Sequence, residues 1–242
     1  MAEFAARYPA VAHTFVPALD DDVILDDEAG HHLSRVRRVR AGEVITAADG
    51  RGHWRPYEVA RVAPGTVELR AKDALVVEPR LEPRLVVAFA LTKRAKPDLV
   101  VQKLTELGVD GITVLTGRRS VPQWSDERAS AAVSRLCRIA REAAAQCRRA
   151  RVPDVEGVRP VIELQGRPGL VVADPDGDEP AALTAPAGGE WVLVVGPEGG
   201  LDTDEETALG GDRLRLAPHV LRAETAAIAG AAVLATRRAR HE

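Results

Sequence analysis

The sequence predicts a two-part α/β protein: a small, mostly β segment over residues 1–80, then a mainly parallel sheet covered by helices over residues 81–242. Three observations predict it. Short β-like runs separated by turn signals fill the first segment. From Pro83 onward, strand-like and helix-like patterns alternate, as they do in βαβ units. Near the C-terminus a continuous apolar run, Val192–Val195, and a second expected strand, Leu214–Ala217, each break into a loop beside a helix start.

Taken in order, the β-like runs of the first segment are His13–Val16, Val23–Leu25, Glu43–Ala48, Tyr57–Val62 and Thr66–Leu69. Asp49-Gly50 is a hairpin signal, and Pro64-Gly65 marks another turn. One helix interrupts them at Glu28–Val39, with His32, Val36 and Val39 at helical spacing. A compact barrel is expected. In the second part, Leu85–Leu91 reads as a buried strand. Lys96-Pro97-Asp98 opens a helix that Gly108 ends, since Pro is tolerated early in a helix and Gly favours its C-terminal end. Ile112–Leu115 is the next strand, followed by a long helix over about Asp126–Arg149. Leu170–Ala173 is a strand that stops at the turn Asp174-Pro175-Asp176-Gly177. Val192–Val195, apolar throughout, fits a strand buried on both faces. Asp202 and Thr203 stand where a helix N-cap belongs, and Thr203 with Glu206 has capping-box spacing. A final helix opens near Ala223.

Composition excludes several functions. Aromatic residues make up 3% of the chain, so an aromatic stacking platform for single strands is not the main binding device. A formal net charge of −3 gives no global basic signal. Of the 33 basic residues, however, four are Lys and 29 are Arg, clustered at Arg35–Arg40, Arg118–Arg119, Arg135–Arg151 and Arg237–Arg240. A GC-rich genome explains most of that total, but Arg also suits phosphate contacts. The sequence HHLSRVRR puts Arg35, Arg37, Arg38 and Arg40 around one helix as a basic collar. A solvated surface is one reading of it, and a grip on an RNA backbone is the other. Cys137 and Cys147 match no metal or redox spacing, and His31, His32 and His219 form no ligand set, so no metal is expected. The chain shows no membrane-length apolar stretch and no signal-peptide core, and a cytoplasmic protein is expected.

The chemistry concentrates in Trp191–Gly230. Gly196-Pro197-Glu198-Gly199-Gly200 follows a buried strand but is neither a P-loop nor GxGxxG. On composition it reads first as a structural turn, with Glu198 free to bond an amine, hydroxyl or base edge. In Leu221-Arg222-Ala223-Glu224-Thr225, Glu224 and Thr225 suit a helix first turn. Arg222 does not, because its charge opposes the helix dipole, and this hints at an anionic or carbonyl-bearing partner.

Together, KRAKPDLVVQKLTELGV, REAAAQCRRARVP, VVGPEGGLDTDE and LRLAPHVLRAETAAIAG, in that order after HHLSRVRR, resemble the RsmE-type 16S rRNA methyltransferases of the SPOUT class over nearly the whole chain. The resemblance implies a PUA-like β-barrel over residues 1–80 and an α/β methyltransferase domain with a C-terminal trefoil knot over 81–242. Such knots are exceptions to the rule against threaded loops. It implies homodimers that methylate N3 of uridine 1498 in 16S rRNA of the small ribosomal subunit. S-adenosylmethionine would lie against Leu91, Thr92, Gly196, Glu198, Gly199, Gly200, Leu216, Pro218, His219, Val220, Leu221 and Arg222. Arg222 would stabilise the uracil imide anion, and either Glu198 or Glu224 would accept its proton or position substrate. Arg35, Arg37, Arg38, Arg40, Arg118 and Arg119 would contact RNA. Leu201 and Ala223 depart from the family's usual aromatic and Thr. The alternatives are a SPOUT methyltransferase acting on another RNA and a non-catalytic RNA-binding or ribosome-assembly module.

Overall fold

In the computed structural model, which describes residues 4–26, 28–90, 97–119, 126–184, 186 and 189–240, the chain divides into two units. The first comprises the chain through Pro79 together with Ala144–Val152. The second comprises Arg80–Ala143 and the chain from Pro153 onward.

Period-2 alternation builds the first unit. Strands β1 (Ala12–Phe15), β2 (Asp22–Leu25), β3 (Val44–Ala48), β4 (His53–Ala63), β5 (Thr66–Ala71) and β6 (Val76–Val77) form one sheet. Its order is β1-β3-β4-β5-β2, with β6 added to β4. The turn at Asp49 joins β3 to β4 antiparallel, with Ala48 opposite Trp54. Asp49 holds this turn by accepting the backbone N–H groups of Arg51 and His53 at 2.7 and 3.1 Å. Successive residues serve opposite faces of the sheet. Ile45 and Ala47 join Leu33, Tyr57, Val59 and Val67 on one side. Ala48 and Trp54 join Phe15, Ala144 and Ala150 on the other. Among the described residues the edge strands β1 and β2 are not paired to each other, so the unit is a single sheet cored on both faces. The expected helix begins as α1 (Glu28–His31) and continues as a π-helical turn over His32–Arg37. It is closed by Arg38 in the left-handed conformation at φ 54°.

Strand–helix alternation builds the second unit. Its strands are β7 (Leu81–Glu82), β8 (Arg84–Ala90), β9 (Gly111–Thr116), β10 (Asp154–Pro160), β11 (Leu170–Asp178), β12 (Glu190–Val195), β13 (Asp212–Leu214) and β14 (Ala239–Arg240). Six of them form a wholly parallel sheet in the order β10-β9-β8-β12-β11-β13, and β7 and β14 make a separate antiparallel pair. The helices are α2 (Pro97–Glu106), α3 (Asp126–Gln146), α4 (Thr203–Leu209) and α5 (Ala223–Ala235). Helix α2 starts on Pro97 and ends in a Schellman turn. The Val109 N–H reaches Leu104 O at 3.1 Å and that of Gly108, at φ 86°, reaches Thr105 O at 3.1 Å. Helix α5 packs on β8, β12 and α2. It lies close because Gly230 faces the sheet, where an added Cβ would fall 2.6 Å from Leu193 Cδ2.

Three local expectations need correction, and one strand lies beyond them. Helix α4 is capped by Asp202, not Thr203. Asp202 Oδ1 accepts Glu205 N at 2.8 Å while Glu205 Oε2 accepts Asp202 N at 3.0 Å. Both pairs have the same spacing, and the one placing a carboxylate at the cap prevails. Strand β13 ends at Leu214, before the expected Ala217. The turn Asp174–Gly177 lies within β11: Leu214 pairs with both Ala173 and Asp178, so the four residues between them bulge out of the ladder. Strand β10 was not anticipated at all.

Candidate functional site

Because the sheet is parallel, β11, β12 and β13 deliver their C-terminal ends to one side, the side where open α/β sheets bind ligands. A cavity of about 210 Å³ lies there. Three loops wall it: Val172–Pro175 after the body of β11, Val195–Leu201 after β12, and Leu214–Leu221 after β13, with Ala223 and Ala226 of α5 beneath. The floor is apolar, from Val172, Val195, Leu214 and Leu216. The polar lining is mainly acidic, from Asp174, Glu198 and Glu206. Asp174 is already committed to Arg213, whose Nη1 donates to Oδ2 at 3.0 Å, and to the backbone N–H of Asp176 at 2.9 Å. Glu198 is exposed at the rim.

The glycine turn is shaped from within and from outside. Inside, Gly200 N donates to Pro197 O at 2.8 Å, and Gly200 takes φ 72°, a region disfavoured for residues with a side chain. Leu201, 7% exposed, tucks under Gly196, where an added Cβ would sit 3.2 Å from Leu201 Cγ. Outside, the loop after β9 reaches the turn. Arg119 Nη1 donates to Gly199 O at 3.0 Å and to Leu201 O at 3.1 Å. Arg118 Nη1 pairs with Asp204 at 2.7 Å and Asp202 at 3.2 Å. The N–H of Glu205 and the nearby Arg118 hold the Asp202 carboxyl below its ordinary range.

The structure brings seven of the sequence-derived cofactor residues into this one cavity: Gly196, Glu198, Gly200, Leu216, His219, Val220 and Leu221. Gly199, Pro218 and Arg222 are not among its described lining residues, and Leu91 and Thr92 lie outside the described residues. Arg222 is the N-cap of α5 and its side chain makes no cap hydrogen bond. It is exposed between two lining residues, Leu221 and Ala223. Glu224, half-buried in the first turn of α5, does not line the cavity. Arg35, Arg37, Arg38 and Arg40 are exposed around the π-helical turn of the first unit. The Arg118 guanidinium is turned to Asp202 and Asp204 at the start of α4, and that of Arg119 to the glycine turn. Sequence reading missed the third wall, Asp174 and Pro175, and its ion pair with Arg213. The signal present was the Asp-Pro-Asp-Gly turn at a strand's C-terminal end, the same position as the other two walls.

Comparison with known proteins gives the family. Residues 79–235 match an RNA methyltransferase domain, and residues 25–72 match an RNA methyltransferase PUA domain. Ribosomal RNA small subunit methyltransferase E of Mycobacterium bovis is 33% identical over 216 residues, which are 84% of this chain and 82% of that protein. The Bacillus subtilis protein of the same name is 29% identical over 214 residues, 82% of this chain and 84% of its own. Among solved structures, ribosomal RNA small subunit methyltransferase E of Neisseria gonorrhoeae bound to S-adenosyl methionine superposes with a TM-score of 0.81 at 26% identity, covering 93% of this chain and 97% of that one. A putative methyltransferase of Legionella pneumophila, also with the bound cofactor, gives 0.81 at 25% identity, covering 95% and 98%. With the RNA methyltransferase domain spanning well over half of the chain and a 33% identical relative aligned along most of both proteins, this chain belongs to the ribosomal RNA small subunit methyltransferase E family.

Proposed function

We propose that the chain is an S-adenosylmethionine-dependent methyltransferase of small-subunit ribosomal RNA that methylates N3 of uridine 1498 in 16S rRNA. The observation that carries the reading is the three-walled cavity at the ends of β11, β12 and β13, with its glycine turn. Its chemistry fits the cofactor: an apolar floor accepts an adenine, and an acidic lining suits a ligand bearing a sulfonium and an ammonium. Two structural neighbours carry that cofactor. The further expectations belong to the same reading. They are a trefoil knot of the SPOUT class through the two C-terminal loops, a homodimer in the cytoplasm, an RNA-holding domain over residues 1–80 and a catalytic domain over 81–242.

S-adenosylmethionine, when bound, supplies an electrophilic methyl group. The residues of the cavity have to orient substrate for in-line attack, a task in which alignment alone can account for several kcal/mol of the barrier, roughly 7–11 in the best cases. Uracil N3 must lose its proton. Arg222, exposed beside the cavity, presents guanidinium donors that match the two carbonyl oxygens on which the imide charge develops. Either Glu198, exposed at the rim, or Glu224, in the first turn of α5, would accept the proton or position the substrate. Arg35, Arg37, Arg38 and Arg40 would grip the phosphate backbone. Nucleoside mass spectrometry of rRNA from a deletion strain tests the assignment: 3-methyluridine should disappear from 16S rRNA, and its persistence would overturn the substrate.

A further inference from the structure

The geometry points to Arg119 as a positioning residue for the cofactor cavity, acting through the glycine turn and supported by Glu205. The inference rests on the cofactor reading above. It gives Arg119 a different task from the RNA contact that its place in an arginine pair suggests.

The argument starts from the turn itself. Gly196, Gly199 and Gly200 fall within five residues, and such a segment has more conformations to lose than any other. Fixing one residue's backbone costs about 1–2 kcal/mol at room temperature, so an untethered turn would load several such terms onto ligand binding. One internal bond, Gly200 N to Pro197 O, closes the turn but leaves the Gly199–Leu201 carbonyls unplaced. Arg119 places them. A single nitrogen, Nη1, donates to Gly199 O at 3.0 Å and to Leu201 O at 3.1 Å and so fixes the Gly199–Gly200 and Leu201–Asp202 peptide groups, which bracket Gly200 and Leu201.

The segment carrying Arg119 is itself anchored. Glu205 is 5% exposed, and its two oxygens are divided between two segments. Oε1 accepts the backbone N–H of Arg118 at 2.8 Å, and Oε2 accepts that of Asp202 at 3.0 Å. One buried carboxylate therefore ties the loop after β9 to the residue that follows the glycine turn. An added Cβ at Gly117 would come within 3.2 Å of Glu205 Oε1, which keeps that position small. Arg118 adds its pairs to Asp202 and Asp204 on the same helix start. The chain 117–119 is thus a strap across the outside of the glycine turn, and Arg119 is its contact with the wall that faces the ligand. A wall held in its bound shape before the ligand arrives binds more tightly, because the ordering cost has left the binding step.

Isothermal titration with S-adenosylmethionine, steady-state kinetics and RNA binding across a salt series test this on the full-length chain. Arg119→Ala should weaken cofactor binding about tenfold, the loss of roughly one charged hydrogen-bond pair. It should raise KM for S-adenosylmethionine in parallel and leave kcat at saturation within about twofold. Arg119→Lys should recover binding to within about threefold of the wild type, because one donor nitrogen makes both bonds. The salt slope of RNA binding should not change in either variant. Wild-type cofactor binding with unaltered affinity in Arg119→Ala overturns the inference. So does a salt slope reduced by about one, which marks a phosphate contact. Failure of the wild-type chain to bind the cofactor overturns both this inference and the functional reading beneath it.

Discussion

Replacing Arg238 should destabilise the second unit more than any other single arginine change. Its side chain is 1% exposed, and each of its three nitrogens donates a hydrogen bond. Nε donates to Pro83 O at 2.8 Å, Nη1 to Gly108 O at 2.8 Å, and Nη2 to Leu81 O at 2.9 Å and to the Asp110 carboxylate. Asp110 also accepts Leu85 N at 3.0 Å, so one ion pair joins the chain after α5 to the entries of β8 and β9. Burial pulls the Arg238 pKa down and Asp110 pulls it back up, and the guanidinium stays charged. Arg238→Met keeps the bulk of the stem and removes every donor. Three carbonyls and a part-buried carboxylate are then left without their partner, and breaking a buried pair in this way costs about 3–5 kcal/mol. For a protein of this size that predicts a fall in Tm of about 6–20 °C. Asp110→Asn keeps one acceptor and should cost only about 1–2 kcal/mol. Urea denaturation of both single variants and the double variant supplies the coupling, expected at about 1–3 kcal/mol. A cost below about 1 kcal/mol for Arg238→Met, or strict additivity in the double variant, would refute the assignment of Arg238 as the clamp.

Four further outcomes are expected. Burial lowers the His13 pKa from 6.5 to about 4, with Arg148 adding to the effect, so protonation favours the unfolded chain. Its neutral form is fully stabilising above the unfolded pKa, and about 3 kcal/mol is lost progressively between pH 6.5 and 4. His13→Gln should flatten that part of the stability profile of the first unit, and an unchanged slope would count against it. Gly230→Val should crowd Leu193 and Leu216, costing about 1–3 kcal/mol and weakening cofactor binding, since Leu216 lines the cavity; denaturation and calorimetry measure the two effects. Arg222→Ala should lower kcat far more than cofactor affinity, about a hundredfold if it stabilises the imide anion; equal losses in both would make it a cofactor contact. Arg37→Ala with Arg38→Ala should weaken RNA binding and reduce its salt slope by about two, and an unmoved slope would remove that patch from the interface.

The fold was legible where local pattern and burial agree. After their first residues, Arg84 and Glu190, strands β8 and β12 are apolar because both faces are covered, and such runs announce themselves. Strand β10 does not. Its register shifts between Glu156 and Val158, and most of its residues are exposed or half-buried, so neither alternation nor a long apolar run survives. The same reasoning separates the walls of the cavity. Gly196–Gly200 follows the apolar run of β12, and Leu216–Leu221 is marked by Pro218 soon after β13. The third wall is a bulge inside a strand, and its Asp174–Arg213 pair joins residues 39 apart in sequence. Arginine clusters were the least legible feature. Composition counts guanidinium groups but not their directions, and of the C-terminal group Arg238 points into the protein.

The make-up of the first unit bears on how the protein is born. Trp54, 1% exposed, shares its packing with Ala144 and Ala150, and the backbone pairs Gly52 N with Ala150 O at 3.1 Å and Val152 N with Gly50 O at 3.0 Å. Arg151 Nη2 reaches Glu78 O at 2.9 Å. A ribosome that has released only the first eighty residues has therefore not yet delivered one side of this core. The unit completes itself only after Val152 emerges, by which time β8, α2 and β9 have also been synthesised. A fragment cut after residue 80 would expose the Trp54 face to water, whereas fusing residues 144–152 onto its end should restore a soluble, cooperatively unfolding piece.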